Sequence, residues 1–178
     1  PVRPPGLTIG PLRRAWTLDA WLRGREDLQA APAPERACVA MLHRVNAGPG
    51  AAGWRLYVEC LSPDTASGLA PAGDVVRVWL GPFASATSVL SVTRDGRVEQ
   101  DNAPDRWIDV GRADDRWVFD LDLPPEAIEP DGVLRIAIER VDSVGERTSA
   151  PRRMLPWQRE PGRLAIDTRA WESLDQAP

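Results

Sequence analysis

The chain contains no lysine; all 22 of its basic residues are arginine. We read that as a GC-rich coding bias and not as a mechanism. The arginines are interspersed with 26 acids, for a net charge of −4. No basic stripe is present to track phosphates, which argues against nucleic acid as a partner. One histidine and two cysteines, in no metal-like spacing, argue against zinc. No apolar run approaches the length of a membrane span, and no stretch reads as a signal peptide, so no membrane partner is expected. The chain reads equally as a small protein without its initiator Met or as a module of a longer one. There is no Gly-x-Ser-x-Gly, no phosphate loop and no Cys–His arrangement. Asp120 and Asp122 share a strand face without an identifiable acid–base partner, so no enzyme is expected.

Turn chemistry is abundant, with 18 prolines and 14 glycines in 178 residues. That favours many short strands over long helices. Eight tryptophans stand against two Phe and one Tyr. Trp is both a stacking platform and a large core residue.

The clearest element is Arg116 to Leu123. Trp117, Phe119, Leu121 and Leu123 fall on one face, and Arg116, Val118, Asp120 and Asp122 on the other. Strict alternation predicts a half-buried strand, stopped by Pro124-Pro125. Further strands are expected at Arg36–Val45, Trp54–Leu61, Asp74–Leu80, Thr87–Thr93, Val133–Val141 and Arg163–Asp167. Weaker ones are expected at Arg97–Gln100 and Trp107–Val110. Residues 1–15 read as an extended lead-in, Trp16–Leu28 as a short helix or tethered loop, and 175–178 as a tail. Gly81-Pro82 should break the Asp74 strand, Asp95-Gly96 should make a hairpin turn, and Pro124–Ile128 one helical turn. About nine to eleven short strands at this spacing predict one all-β domain over 16–174, an antiparallel β-sandwich.

Cys38 and Cys60 fall on adjacent strands. If Val45 pairs with Trp54, Cys60 lies opposite Val39 and two free, buried thiols are expected. A slip of one residue would set Cys38 opposite Cys60, so register decides whether a bridge can form.

The order of segments resembles the DOMON-like superfamily, and within it the family 9 carbohydrate-binding modules. The resemblance rests on Leu18-Asp19-Ala20-Trp21, on Leu56-Tyr57-Val58-Glu59 followed by Asp64, and on Asp74 to Gly81. It continues with Trp117 to Pro124, Gly132 to Val141 and Gly162 to Ile166, and it covers most of residues 16–168. Leu18-Asp19 lacks the usual glycine, and Asp120 replaces a longer acid or a neutral residue. The resemblance implies a DOMON-like, immunoglobulin-like jelly-roll sandwich that binds a glycan or polysaccharide without catalysis, beside a neighbouring enzyme domain. Secretion would follow if the chain belongs to a longer polysaccharide-acting protein.

Sugar binding needs a flat aromatic face beside hydrogen-bonding groups. Trp157, with Gln158, Arg159 and Arg153 near it in a proline-stiffened loop, is the first candidate; the alternative is a plug at one end of the sandwich. Trp79 with Arg77, on the non-core side of their strand, is the second. Tyr57, Glu59, Arg135 and Glu139 could complete one polar-aromatic surface if their strands are neighbours; the alternative is a solvated face, or a second-layer face covered by residues 1–30. Trp117 is expected in the core, and Trp54, Trp107 and Trp171 in packing roles. The expected site is therefore Trp157, Trp79, Arg77, Gln158 and Glu139, with no cofactor. Two relatives of the fold suggest other contents. Structural calcium could use Asp101, Asp105, Asp114 and Asp115. Haem would need His43 with Met154, because Met41 and His43 share one strand face and cannot oppose each other across an iron. A structural or protein-interaction sandwich without small ligand is the remaining alternative.

Overall fold

The computed structural model describes residues 7–14, 36–48, 51–62, 73–83, 86–101, 108–113, 115–129, 131–150 and 161–166. Among them are twelve strands: β1 (Leu7–Pro11), β2 (Arg13–Arg14), β3 (Cys38–Gly48), β4 (Ala51–Leu61), β5 (Val75–Phe83), β6 (Ala86–Thr93), β7 (Val98–Asp101), β8 (Ile108–Ala113), β9 (Arg116–Leu123), β10 (Val133–Val141), β11 (Arg147–Ala150) and β12 (Gly162–Ala165). One sheet runs β1-β3-β4-β9-β8. The other runs β2-β11-β10-β5-β6-β7, with β12 also on β10. Every one of these pairings is antiparallel. The chain is thus the antiparallel β-sandwich expected of it.

Alternation explains the core. β9 turns Trp117, Phe119, Leu121 and Leu123 inward beside Leu56, Val58 and Cys60 of β4. The second sheet answers with Val76, Val78 and Leu80 of β5, Leu90 and Val92 of β6, and Leu134, Ile136 and Ile138 of β10. Each aliphatic side chain buried in this way contributes about 1.5–3 kcal/mol. The rings of Trp117 and Phe119 are stacked with centroids 6.0 Å apart.

One inward position departs from this pattern. Arg140 continues the inward row of β10 and is only 2% exposed. Its Nε and Nη2 donate to both carboxylate oxygens of Asp74, at 2.9 and 2.7 Å. Nη1 donates to the carbonyl of Arg36 and Nη2 to that of Leu61, each at 2.8 Å. The indole Nε1 of Trp117 donates to Asp74 at 3.0 Å. Burial is the largest influence on Arg140 and opposes its charge, but the hydrogen bonds to Asp74 and the Coulombic attraction of Cys60, Asp74 and Cys38 together outweigh it and hold its pKa above the ordinary value. The cluster joins β5 and β10 of one sheet to β9 and the ends of β3 and β4 of the other.

The structure differs from the sequence expectations in four places. Gly81-Pro82 does not end β5. Gly81 adopts φ 101° within a register shift, and pairing resumes at Phe83–Ala86. Residues 7–14, expected as a lead-in, are extended but hydrogen-bonded into both sheets. β1 pairs with β3 and β2 with β11, and buried Leu12 lies between them. β11 was not expected. Finally, Val45 pairs with Gly53 and not Trp54, so Cys38 lies opposite Cys60. Asp95-Gly96 does form the β6–β7 turn, where the Gly96 N–H reaches the Thr93 carbonyl at 2.9 Å. Pro125–Ala127 makes one 3₁₀ turn. The stretch Trp16–Leu28 lies outside the described residues.

Replacing Arg140 or Asp74 singly with Leu strands the other charge, and should cost about 3–5 kcal/mol in urea unfolding; the double replacement should cost less than the sum. Gly132 (φ +79°) would place a Cβ 3.1 Å from the carbonyl oxygen of Ile166, whereas Gly145 (φ +81°) has open space. Gly145→Ala should lose the left-handed backbone term of about 1–2 kcal/mol, and Gly132→Ala more than that, in the same assay.

Candidate functional site

β5 lies between β10 and β6, so the side chains it turns away from the core sit in the middle of the outer face of the second sheet. Two rows cross that face. In one, Trp79 stands between Ala137 of β10 and Val89 of β6. In the next, the order is Glu99, Ser91, Arg77, Glu139, Ser149 from β7 to β11. Ala137 is the smallest side chain that could face Trp79, and the indole is partly exposed. Strand pairing therefore brings Trp79, Arg77 and Glu139 together on one surface.

Their environments are unequal. The Arg77 side chain is 42% exposed, whereas that of Glu139 is 4% exposed. Glu139 Oε1 lies 3.8 Å from Arg77 Nη1 and accepts from Arg147 Nη1 at 3.1 Å. One buried carboxylate thus holds two outward guanidinium groups. Arg135 lies on the same face, opposite Arg163, with its Nε donating to Glu129 at 2.5 Å.

Tyr57 and Glu59 do not join this surface, because β4 belongs to the other sheet. There the Tyr57 hydroxyl donates to Glu59 at 3.0 Å, and Arg116 Nη1 donates to the same carboxylate at 3.3 Å. Met41, Tyr57 and Val118 form a small buried cluster on this outer face, separate from the main core. His43 Nε2 lies 3.1 Å from Asp120 Oδ1, and Arg55 Nε donates to Asp122 at 2.7 Å. The outer acids of β9 are therefore taken up by cross-strand basic groups.

Trp157, Gln158, Arg153, Arg159 and Met154 lie outside the described residues, as do Trp107 and Trp171. The described positions flanking the Trp157 segment are informative. β11 and β12 lie end to end along the same side of β10. Ala150 is opposite Ile138 and Gly162 is opposite Ile136. The two ends of the segment therefore straddle Ala137, the cross-strand neighbour of Trp79. No local sequence signal could have shown this, because it depends on β11, β12 and β5 sharing β10. Trp117 is in the core and Trp54 packs against it.

The partner expected for His43 in a haem site, Met154, lies outside the described residues. His43 is engaged by Asp120, and Met41 shares its strand face. For calcium, Asp105 and Asp114 lie outside the described residues and Asp101 is described only as backbone. Asp115 binds the Arg116 guanidinium through both oxygens, at 2.9 and 2.8 Å, and this hydrogen bonding lowers its pKa. Among the described residues, no three His, Cys, Asp or Glu side chains converge as a metal site.

No protein-family model matches the chain, and no curated protein matches it. Among solved structures, it is similar to a family 9 carbohydrate-binding module from Caldicellulosiruptor kristjanssonii, determined in complex with cellotriose. That similarity is at 14% identity and a TM-score of 0.42, over 67% of this chain and 66% of the other.

Proposed function

We propose that the chain is a non-catalytic carbohydrate-binding module of the DOMON-like, family 9-like kind, accessory to a polysaccharide-acting enzyme. The observation that carries this reading is the row of Trp79 beside Ala137, bordered by Arg77 and by the two ends of the Trp157 segment. A partly exposed indole offers a flat apolar face for a pyranose ring, and a guanidinium beside it donates to hydroxyls. In this reading Trp79 and Trp157 stack sugar rings, while Arg77 and Gln158 hydrogen-bond hydroxyls. Glu139 acts through Arg77: its buried carboxylate sets the direction of the guanidinium.

A second reading, a structural or protein-interaction sandwich, is favoured by the near-complete burial of Ala137 and Glu139 on the outer face. Covered positions there suit packing as well as recognition.

Titration with cello-oligosaccharides and xylan separates the two. Carbohydrate binding should shift Trp fluorescence, and Trp79→Ala should weaken it by at least about tenfold, or 1.4 kcal/mol. Trp79→Ala should destabilise the fold far less than Trp117→Ala, which empties a core site and should cost about 3–5 kcal/mol. A broad glycan panel that changes neither fluorescence nor melting temperature would leave the structural reading standing.

A further inference from the structure

Cys38 and Cys60 are free and fully buried, on the core face of the central β3–β4 ladder. They are direct cross-strand partners, with Sγ atoms 2.8 Å apart. Two backbone bonds define the kind of pair. The N–H of Leu12 on the β1 side donates to the Cys38 carbonyl at 2.8 Å, and the N–H of Leu61 donates to the Ala37 carbonyl at 2.8 Å. Cys38 therefore turns its backbone polar groups toward β1, and the adjacent pair Ala37–Leu61 carries the β3–β4 hydrogen bond. That makes Cys38–Cys60 a non-hydrogen-bonded pair, in which Cα atoms approach to about 4.5 Å and side chains lie closest. The spacing falls inside the range of about 4.4–6.8 Å that a disulfide spans without moving the backbone.

The position has a further consequence. Cys60 immediately precedes Leu61 and Cys38 follows two residues after Arg36, and the carbonyls of Leu61 and Arg36 are the two that receive Arg140. The thiol pair thus lies at the end of the first sheet onto which the second sheet docks.

We infer that Cys38 and Cys60 are a redox clasp, closing into a cross-strand disulfide that fixes the carbonyl cradle of Arg140. The oxidant is a small or protein disulfide. One cysteine thiolate attacks it, forming a mixed disulfide and expelling one thiolate. The second cysteine thiolate then attacks the protein sulfur of that mixed disulfide and expels the other. The protein loses two protons and two electrons, and the oxidant takes them up and becomes two thiols. Burial, foremost, and the neighbouring Cys38 push the Cys60 thiol well above its ordinary pKa. Closure therefore proceeds from strand ends that have opened, during folding or local unfolding, and not from the closed core.

The test uses the full chain, refolded once with excess glutathione disulfide and once with reductant, then acid-quenched, denatured and alkylated. The oxidised sample should take up no alkylating agent, weigh less by the two hydrogens lost, and yield a digest fragment linking Cys38 to Cys60. It should also melt several degrees above the reduced sample. Cys38→Ala and Cys60→Ala should each carry one glutathione and show no such rise. Two alkylated thiols in the oxidised wild type, a persistent glutathione adduct on it, or an oxidised form melting no higher than the reduced one would overturn the clasp. The wild-type measurements decide the matter even if a variant fails to fold, and they are independent of any glycan result.

Discussion

A buried ion pair within one sheet of this sandwich supplies the hydrogen bonds that tie it to the other. Asp74 stands just before β5 and Arg140 near the end of β10, and Trp117 and two main-chain carbonyls complete the cluster. An ion pair in a core is expensive to desolvate, and hydrophobic residues of equal volume often serve stability as well. Its geometry offers something a hydrophobic contact lacks. The guanidinium has fixed directions, so it fits only when β5, β10, β9 and the ends of β3 and β4 are all in register. A sheet that slid by one residue would turn Arg140 out of the core and leave Asp74 buried alone. The pair thus converts many non-directional contacts into one arrangement of the two sheets.

Much of the fold was legible because two signals were strong. β9 and β10 show clean alternation, and their bounds agree with the expected ones within a residue. β11 was illegible for a physical reason. Arg147-Thr148-Ser149-Ala150 has no apolar face of its own, and becomes a strand because β10 supplies partners for its backbone. Gly81-Pro82 looked like a stop, but a bulge absorbed the residues that break pairing. The β3–β4 register lay beyond local reasoning, because a shift at Asn46–Gly48 sets the count around the hairpin. Nothing local marks Arg140, since the carboxylate that receives it, Asp74, lies far away in sequence.

The candidate site was legible in its faces but not in its neighbours. Alternation along β5 placed Arg77 and Trp79 away from the core. It could not say that β10 would lie beside them, bringing Glu139, nor that Tyr57 and Glu59 would belong to the opposite side of the molecule. Outer faces of the two sheets look alike in a sequence. Only strand order separates them, and strand order is a property of the whole chain.

The strand line from Leu7 to Arg14 changes sheets at Leu12, so one short segment finishes the border of both layers. β3 and β11 would otherwise each present a row of unpaired N–H and C=O groups to solvent, the kind of border that recruits other chains. Eight residues therefore guard two open rims at once. Loss of this hem would bare the backbone of β3 and β11 and, in the same stroke, pull Leu12 out of the core between the layers.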